Sequence, residues 1–197
     1  MDQAREGYMK TLEQVSGTSV THTRLTKEQR QLQRVMQSFF SRDHQPPETA
    51  MKTPHMDTLC PGCFADKGRT SACPHCGYDE QAGRGPLPLT HRTLLHGQYV
   101  VGRVLGKIGG FGITYLGWDR HLETLVAIKE YLPRDLAGRS SDRATVAIHS
   151  QDEGEPFRYG LEQFLREART LAQLDHPNIV RVRHFFEAND TAYLVMH

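Results

Sequence analysis

All four cysteines of this 197-residue chain stand within seventeen residues, as Cys60-Pro61-Gly62-Cys63 and, nine residues on, Cys73-Pro74-His75-Cys76. Each CxxC turn converges two thiolates from one tight loop. Two such turns complete a tetrahedral sulfur site of the structural zinc kind, with no position open for catalysis. Iron in the same sulfur cage, two disulfides or a redox CxxC are the other readings. The last two lack the secretory leader or βαβ pattern that would go with them. His55 and His75 are the alternative ligands nearby; with four thiols available, both read as solvent-exposed histidines. A second constellation follows. Leu105-Gly106-Lys107-Ile108-Gly109-Gly110-Phe111-Gly112 is a loop whose glycines let backbone amides approach phosphate oxygens. Lys129, closing the run Val126-Ala127-Ile128-Lys129, supplies an ammonium for phosphate charge. Glu167, 38 residues later on a helical pattern, is placed to hold that ammonium by ion pairing.

The elements that must position these groups are legible as periodicities. Tyr99–Leu105, Ile113–Trp118 and Leu125–Tyr131 are short runs rich in β-branched and aromatic residues, which predicts three strands in succession. Residues 134–154 are polar and turn-rich. Leu161, Phe164, Leu165, Ala168, Leu171, Ala172 and Leu174 then predict a helix over 157–174, followed by strands at Ile179–Phe186 and Ala192–Met196 joined through Asn189 and Asp190. The glycine loop therefore lies between two strands, not between strand and helix as in dinucleotide folds. Upstream, Ala4, Tyr8, Leu12 and Val15 suggest a short helix ended by Gly17. Thr26 and Gln29 resemble a capping box ahead of the stripe Leu32, Val35, Met36, Phe39 and Phe40. Pro46, Pro47 and Pro54 then interrupt regular structure.

Charge narrows the partners. Lys plus Arg is 24 against Asp plus Glu 23, a formal net charge of +1. Around the cysteines, Lys67, Arg69 and Arg84 face Asp57, Asp66, Asp79 and Glu80, a net of −1, so the phosphate attraction that dominates nucleic-acid binding is missing. No stretch approaches the 18 apolar residues of a membrane span, and the N-terminus lacks an apolar leader, so the expectation is a cytoplasmic chain without a membrane segment.

Glycine loop, Val126-Ala127-Ile128-Lys129 and helical Glu167, in that order, resemble the N-terminal lobe of protein kinases, most closely bacterial Ser/Thr kinases of the eukaryotic-like type. The resemblance runs from about Leu94 to His197. It includes His176-Pro177-Asn178-Ile179-Val180, similar to the loop after helix C, and Tyr193-Leu194-Val195-Met196, similar to the strand that leads to the gatekeeper. It implies an α+β fold: a five-stranded antiparallel sheet with one long helix, Lys129 and Glu167 in the catalytic roles, and ATP with magnesium. Gly106, Gly109, Gly110 and Gly112 would line the phosphates and Phe111 would cap them. Leu105, Thr114 and Ala127 would contact adenine, Met196 would be the gatekeeper, and His197 would open the hinge.

Three departures stand out. Gly106 precedes Gly109 by three residues where the family pattern has two, and Thr114 replaces the usual valine. The catalytic loop HRDLxxxN and the magnesium-binding DFG occur nowhere in the sequence. The organisation expected is an N-terminal extension (1–55), a zinc ribbon (56–81), a linker (82–93) and a kinase N-lobe (94–197). The function expected is the ATP-binding portion of a Ser/Thr protein kinase, transferring γ-phosphate to protein hydroxyls but inactive as this chain, with substrates not specified. A non-catalytic zinc-ribbon and nucleotide-binding interaction module is the alternative. With the far lobe absent, apolar surface from Tyr193 to Met196 is expected to lie uncovered.

Overall fold

The computed structural model describes residues 56–197 apart from Pro177, together with Arg30 and Arg34, both helical. The remaining expectations for residues 1–55, including His55, lie outside the described residues. Eight strands are formed: β1 (Leu94–Leu95), β2 (Tyr99–Val104), β3 (Gly112–Asp119), β4 (Thr124–Tyr131), β5 (Ala137–Arg139), β6 (Val146–Ile148), β7 (Val182–Ala188) and β8 (Thr191–Met196). The long helix α1 spans Gly154–Ala172. Six strands make one antiparallel sheet in the order β1-β2-β3-β4-β8-β7, and β5 and β6 pair separately.

β3 and β4 pair along their full length, from Gly112 opposite Tyr131 to Asp119 opposite Thr124. The Asp119 carboxylate closes their turn by accepting the amides of His121 and Leu122 at 3.0 and 3.2 Å. β7 and β8 turn through Asn189 and Asp190, both left-handed at φ 54 and 56, the conformation a two-residue hairpin needs and asparagine and aspartate tolerate. A 3-10 turn at Gln151–Glu153, with a capping box at Ser150 and Glu153, leads directly into helix α1, which carries Pro156 in its first turn, where the missing amide costs nothing. Its buried face is Phe157, Gly160, Gln163, Phe164, Leu165 and Ala168, a helical spacing that packs on β7 and β8.

Two expectations are corrected. The sheet has six strands rather than five, because the two-residue β1 joins its edge, and the polar segment 134–154 holds the β5–β6 hairpin. Strands of two or three residues are too short to show a period. The segment Tyr193–Met196 does not lie uncovered: every residue of it is buried, because β8 is paired on both edges, by β4 and by β7. The Gly- and Pro-rich stretch after the cysteines is exposed over most of its first half and packs at its far end. Leu89 is buried, and its amide donates to the Tyr115 hydroxyl at 3.1 Å.

Candidate functional site

Side chains two apart on a strand share a face, and directly opposed residues on neighbouring strands share it too. Ala127 and Lys129 therefore face the same way from β4. Thr114 lies opposite Lys129 on β3, and Met196 lies opposite Ala127 on β8. Leu105, just past β2, donates its amide to the Thr114 carbonyl at 2.7 Å. Five residues read from sequence as adenine and phosphate contacts thus come from adjoining chain segments onto one sheet surface. Leu105, Ala127 and Met196 are buried; Thr114 and Lys129 are half-buried.

The glycine loop joins β2 to β3. Gly106 is the residue that turns left-handed, at φ 72, so the turn needing a glycine falls there and not at Lys107. Gly106, Gly109 and Gly110 are exposed. The loop's far end is tied to the segment after β4, where the amides of Leu132 and Arg134 donate to Phe111 and Gly110 carbonyls at 3.2 and 3.0 Å. A side chain on Gly112 would overlap the Glu130 carbonyl, so glycine lets β3 begin flush against β4. Phe111 is half-buried.

The Lys129 ammonium stands 5.6 Å from the centre of the Phe164 ring on α1, a cation–π approach. Glu167, three residues beyond Phe164, belongs to the same helix face and is half-buried. Helix and lysine are thus brought together, with Phe164 as the side chain the ammonium rests on. His197 is exposed, and its amide donates to the Arg181 carbonyl at 3.0 Å.

On the opposite face of β4 is a group the sequence does not signal. Glu130 is fully buried and accepts Arg139 Nη1 and Nη2 at 2.8 and 2.6 Å, Tyr115 Oη at 2.7 Å and Tyr193 Oη at 2.9 Å. Burial, then the Glu130 charge, pushes the Tyr115 and Tyr193 hydroxyls well above their ordinary values. This carboxylate ties the strand carrying Lys129 to the strand of the glycine loop, to β8 and to the β5–β6 hairpin.

The four cysteine sulfurs all lie within 4.8 Å of one another, with Cys60 to Cys76 at 3.7 Å and Cys63 to Cys73 at 3.8 Å. A tetrahedron of sulfurs each about 2.3 Å from a central zinc has edges of about 3.8 Å, so the cage fits that ion. None is in a disulfide. Both turns use the same bonds: Cys60 and Cys73 amides donate to Ala65 and Tyr78 carbonyls at 2.9 Å, and Cys60 and Cys73 carbonyls accept Phe64 and Gly77 amides at 2.7 and 2.8 Å. Burial raises the Cys60 thiol to about 11 and pushes Cys63 higher still, whereas at Cys73 burial is outweighed by hydrogen bonds from the Cys76 and His75 amides and the thiol is lowered. His75 is exposed, its Nε2 3.2 Å from the Asp66 carbonyl, and is not part of the cage.

A cleft of about 530 Å³ lies beside the cysteine segment, away from the glycine loop; Lys67, Arg69, Glu80 and Arg92 are among its lining residues. Glu80 takes a two-pronged Arg92 and also Lys67, which lowers the Glu80 carboxyl to about 2.

No protein-family model matches the chain. Calcium-dependent protein kinase 10 of Arabidopsis thaliana is 32% identical over 111 residues, which are 56% of this chain and 17% of that protein. Serine/threonine-protein kinase pkn2 of Myxococcus xanthus is 37% identical over 103 residues, 52% of this chain and 10% of that one. Among solved structures, PpkA-294 in its apo form is 37% identical with a TM-score of 0.53, covering 55% of this chain and 38% of that one. The relatives thus include Ser/Thr protein kinases, bacterial ones among them, and the chain spans less than a fifth of either curated relative's length. The curled antiparallel sheet with the long helix α1 packed on it matches a kinase-like N-terminal lobe. Among the described residues no helix is long and apolar enough to cross a membrane.

Proposed function

We propose that residues 94–197 are the ATP-binding lobe of a Ser/Thr protein kinase and that residues 56–81 are a zinc ribbon attached to it. The observation that carries the nucleotide reading is the convergence of Leu105, Thr114, Ala127, Lys129 and Met196 on one sheet surface beside the helix face of Phe164 and Glu167. On this reading the sheet surface takes the adenine, the amides of the glycine loop and the Lys129 ammonium take the phosphates, and Glu167 holds the lysine. The whole protein would pass the γ-phosphoryl group to protein hydroxyls in the cytoplasm. On the same reading, magnesium ligands and the group that orients the attacking hydroxyl would have to come from outside these 197 residues. The metal reading rests on the sulfur cage, whose dimensions fit a tetrahedral ion.

Calorimetric titration of the chain with magnesium–ATP tests the first reading. Saturable binding is expected, weakened about ten-fold or more by Lys129→Ala through loss of a phosphate-paired charge. Undetectable binding, or binding indifferent to that substitution, overturns it. Elemental analysis tests the second: one zinc per chain is expected and none in Cys63→Ser, whereas thiols that titrate freely with no bound metal refute it.

A further inference from the structure

The cysteine segment is seated on the strand that leads into the glycine loop. We propose that metal held by the four cysteines and nucleotide held at the loop strengthen each other's binding through this seat. The nucleotide half rests on the reading given above.

Three details make the seat specific. Pro61, inside the first CxxC turn, accepts the Arg103 amide at 2.7 Å, in the part of β2 where the register with β3 shifts between Val101 and Val104. Gly102 is the residue that permits this approach. A Cβ there would stand 2.5 Å from the Pro61 carbonyl oxygen, 2.9 Å from Phe64 Cε2 and 3.0 Å from the Leu116 carbonyl oxygen, closer than packed atoms come.

Phe64 supplies the third. It follows Cys63 with φ 60, the place where the second turn has Gly77 at φ 70. A left-handed phenylalanine is strained where glycine would not be. Its ring is buried and stacks on Trp118 of β3, centroids 6.0 Å apart and 24° from parallel. The strained residue is the one that touches the sheet, so docking offsets the strain. Arg92 adds to the seat by donating to the Met56 and Leu59 carbonyls at 3.0 and 2.8 Å, and Arg84 reaches the Gly102 carbonyl at 3.2 Å.

From the seat to the candidate nucleotide surface is a short step along one strand. Arg103 is two residues before Leu105, whose amide is held by Thr114, and Gly106 opens the loop. A segment of about 25 residues cannot bury enough apolar surface to hold its turns unaided, so the turn presenting Pro61 and Phe64 depends on its metal. Emptying the cage removes a hydrogen bond and a stacked ring from the entry to the loop. Nucleotide must then order that entry itself and binds more weakly. Linkage makes the effect mutual: bound nucleotide raises the affinity for metal by the same factor.

Trp118 is the only tryptophan in the chain, so its emission reports the seat directly. The experiment uses the full chain, zinc-loaded or treated with a zinc-selective chelator, with magnesium in excess and a non-hydrolysable ATP analogue as titrant. Chelation is expected to shift Trp118 emission to longer wavelength and to weaken analogue binding about five-fold or more, the lower end of ordinary coupling between sites. Phe64→Gly keeps the four thiols and relieves the turn. It should still take one zinc, but bind the analogue more weakly than zinc-loaded wild type does. If the chelated chain precipitates, the two zinc-loaded proteins alone decide the matter. Equal analogue affinity in zinc-loaded wild type and Phe64→Gly, or an affinity unchanged by chelation, overturns the coupling and leaves the nucleotide reading intact. An absence of analogue binding in the zinc-loaded wild type overturns both.

Discussion

Glu130 and Arg139, nine residues apart in the chain, meet as a bidentate ion pair with side-chain exposures of 0% and 2%. Arg139 directs two further donors to the Leu87 and Ala144 carbonyls, at 2.9 and 2.7 Å. The hairpin, the stretch after the cysteines and the strand carrying Lys129 are therefore pinned at one guanidinium. Burial disfavours the arginine charge, but the Glu130 hydrogen bond outweighs it, so Arg139 holds its proton more firmly than in water.

Removing one partner of such a pair leaves a buried charge without compensation, so Arg139→Ala is expected to lose about 3–5 kcal/mol of folding stability. Arg139→Lys should recover little of it, because an ammonium cannot span Glu130 and two carbonyls at once. Urea unfolding of the three proteins checks this; a loss under about 1 kcal/mol, the size of an exposed pair, would refute it.

Gly160 and Tyr131 give the second test. A Cβ on Gly160 would overlap the Tyr131 hydroxyl, which donates to the Phe157 carbonyl at 3.2 Å from a buried ring. Glycine to alanine inside a helix ordinarily gains up to about 1 kcal/mol. Here Gly160→Ala is expected to cost about 1–3 kcal/mol through overpacking, and adding Tyr131→Phe should restore most of it. A thermal midpoint raised by the single substitution would contradict the packing.

The strands that carry the candidate site were readable because β3, β4 and β8 are runs of β-branched and aromatic residues long enough to show themselves. Lys129 stood out by its place after Val126-Ala127-Ile128. Glu130 did not: a charge next to a charge on a strand reads as solvent-facing, and its partner Arg139 ends the three-residue strand β5, too short to show a period. Phe64 was silent for a different reason. Its importance lies in a backbone angle and a neighbour 54 residues away, and neither is written in local sequence. The resting place of Lys129 on Phe164 was likewise illegible, since Phe164 reads as one more core residue of the helix.

His91 sets a pH dependence. Burial, reinforced by the Arg84 charge, lowers its proton affinity to about 4, and its Nε2 lies 2.9 Å from the Tyr78 hydroxyl. An unfolded chain takes up that proton near pH 6.5 and the folded chain does not, so stability present above pH 6.5 is lost as pH falls toward 4 and then levels off. His91→Phe should flatten the fall between pH 7 and 5 in denaturant midpoints. The Glu80 contribution, also present at high pH and lost on acidification, falls away only below that window, toward pH 2. Parallel curves for wild type and variant would show that another group is responsible.

These 197 residues are expected to transfer no phosphate to protein. Phosphoryl transfer depends on metal-assisted charge stabilisation and an oriented hydroxyl, and the sequence motifs for both are missing. The measurement is γ-phosphate incorporation into a generic protein substrate by highly purified chain. Turnover that disappears in Lys129→Ala would show that one lobe suffices.

The cysteine segment is built from two turns that use the same backbone bonds, so those bonds alone do not choose which turn meets the sheet. Phe64, standing where its counterpart is Gly77, makes that choice visible. Its ring gives the first turn an apolar contact with the sheet that the second turn, with glycine there, lacks. Exchanging the two, with glycine at 64 and phenylalanine at 77, would keep the cage and its composition while turning the wrong cheek to Gly102.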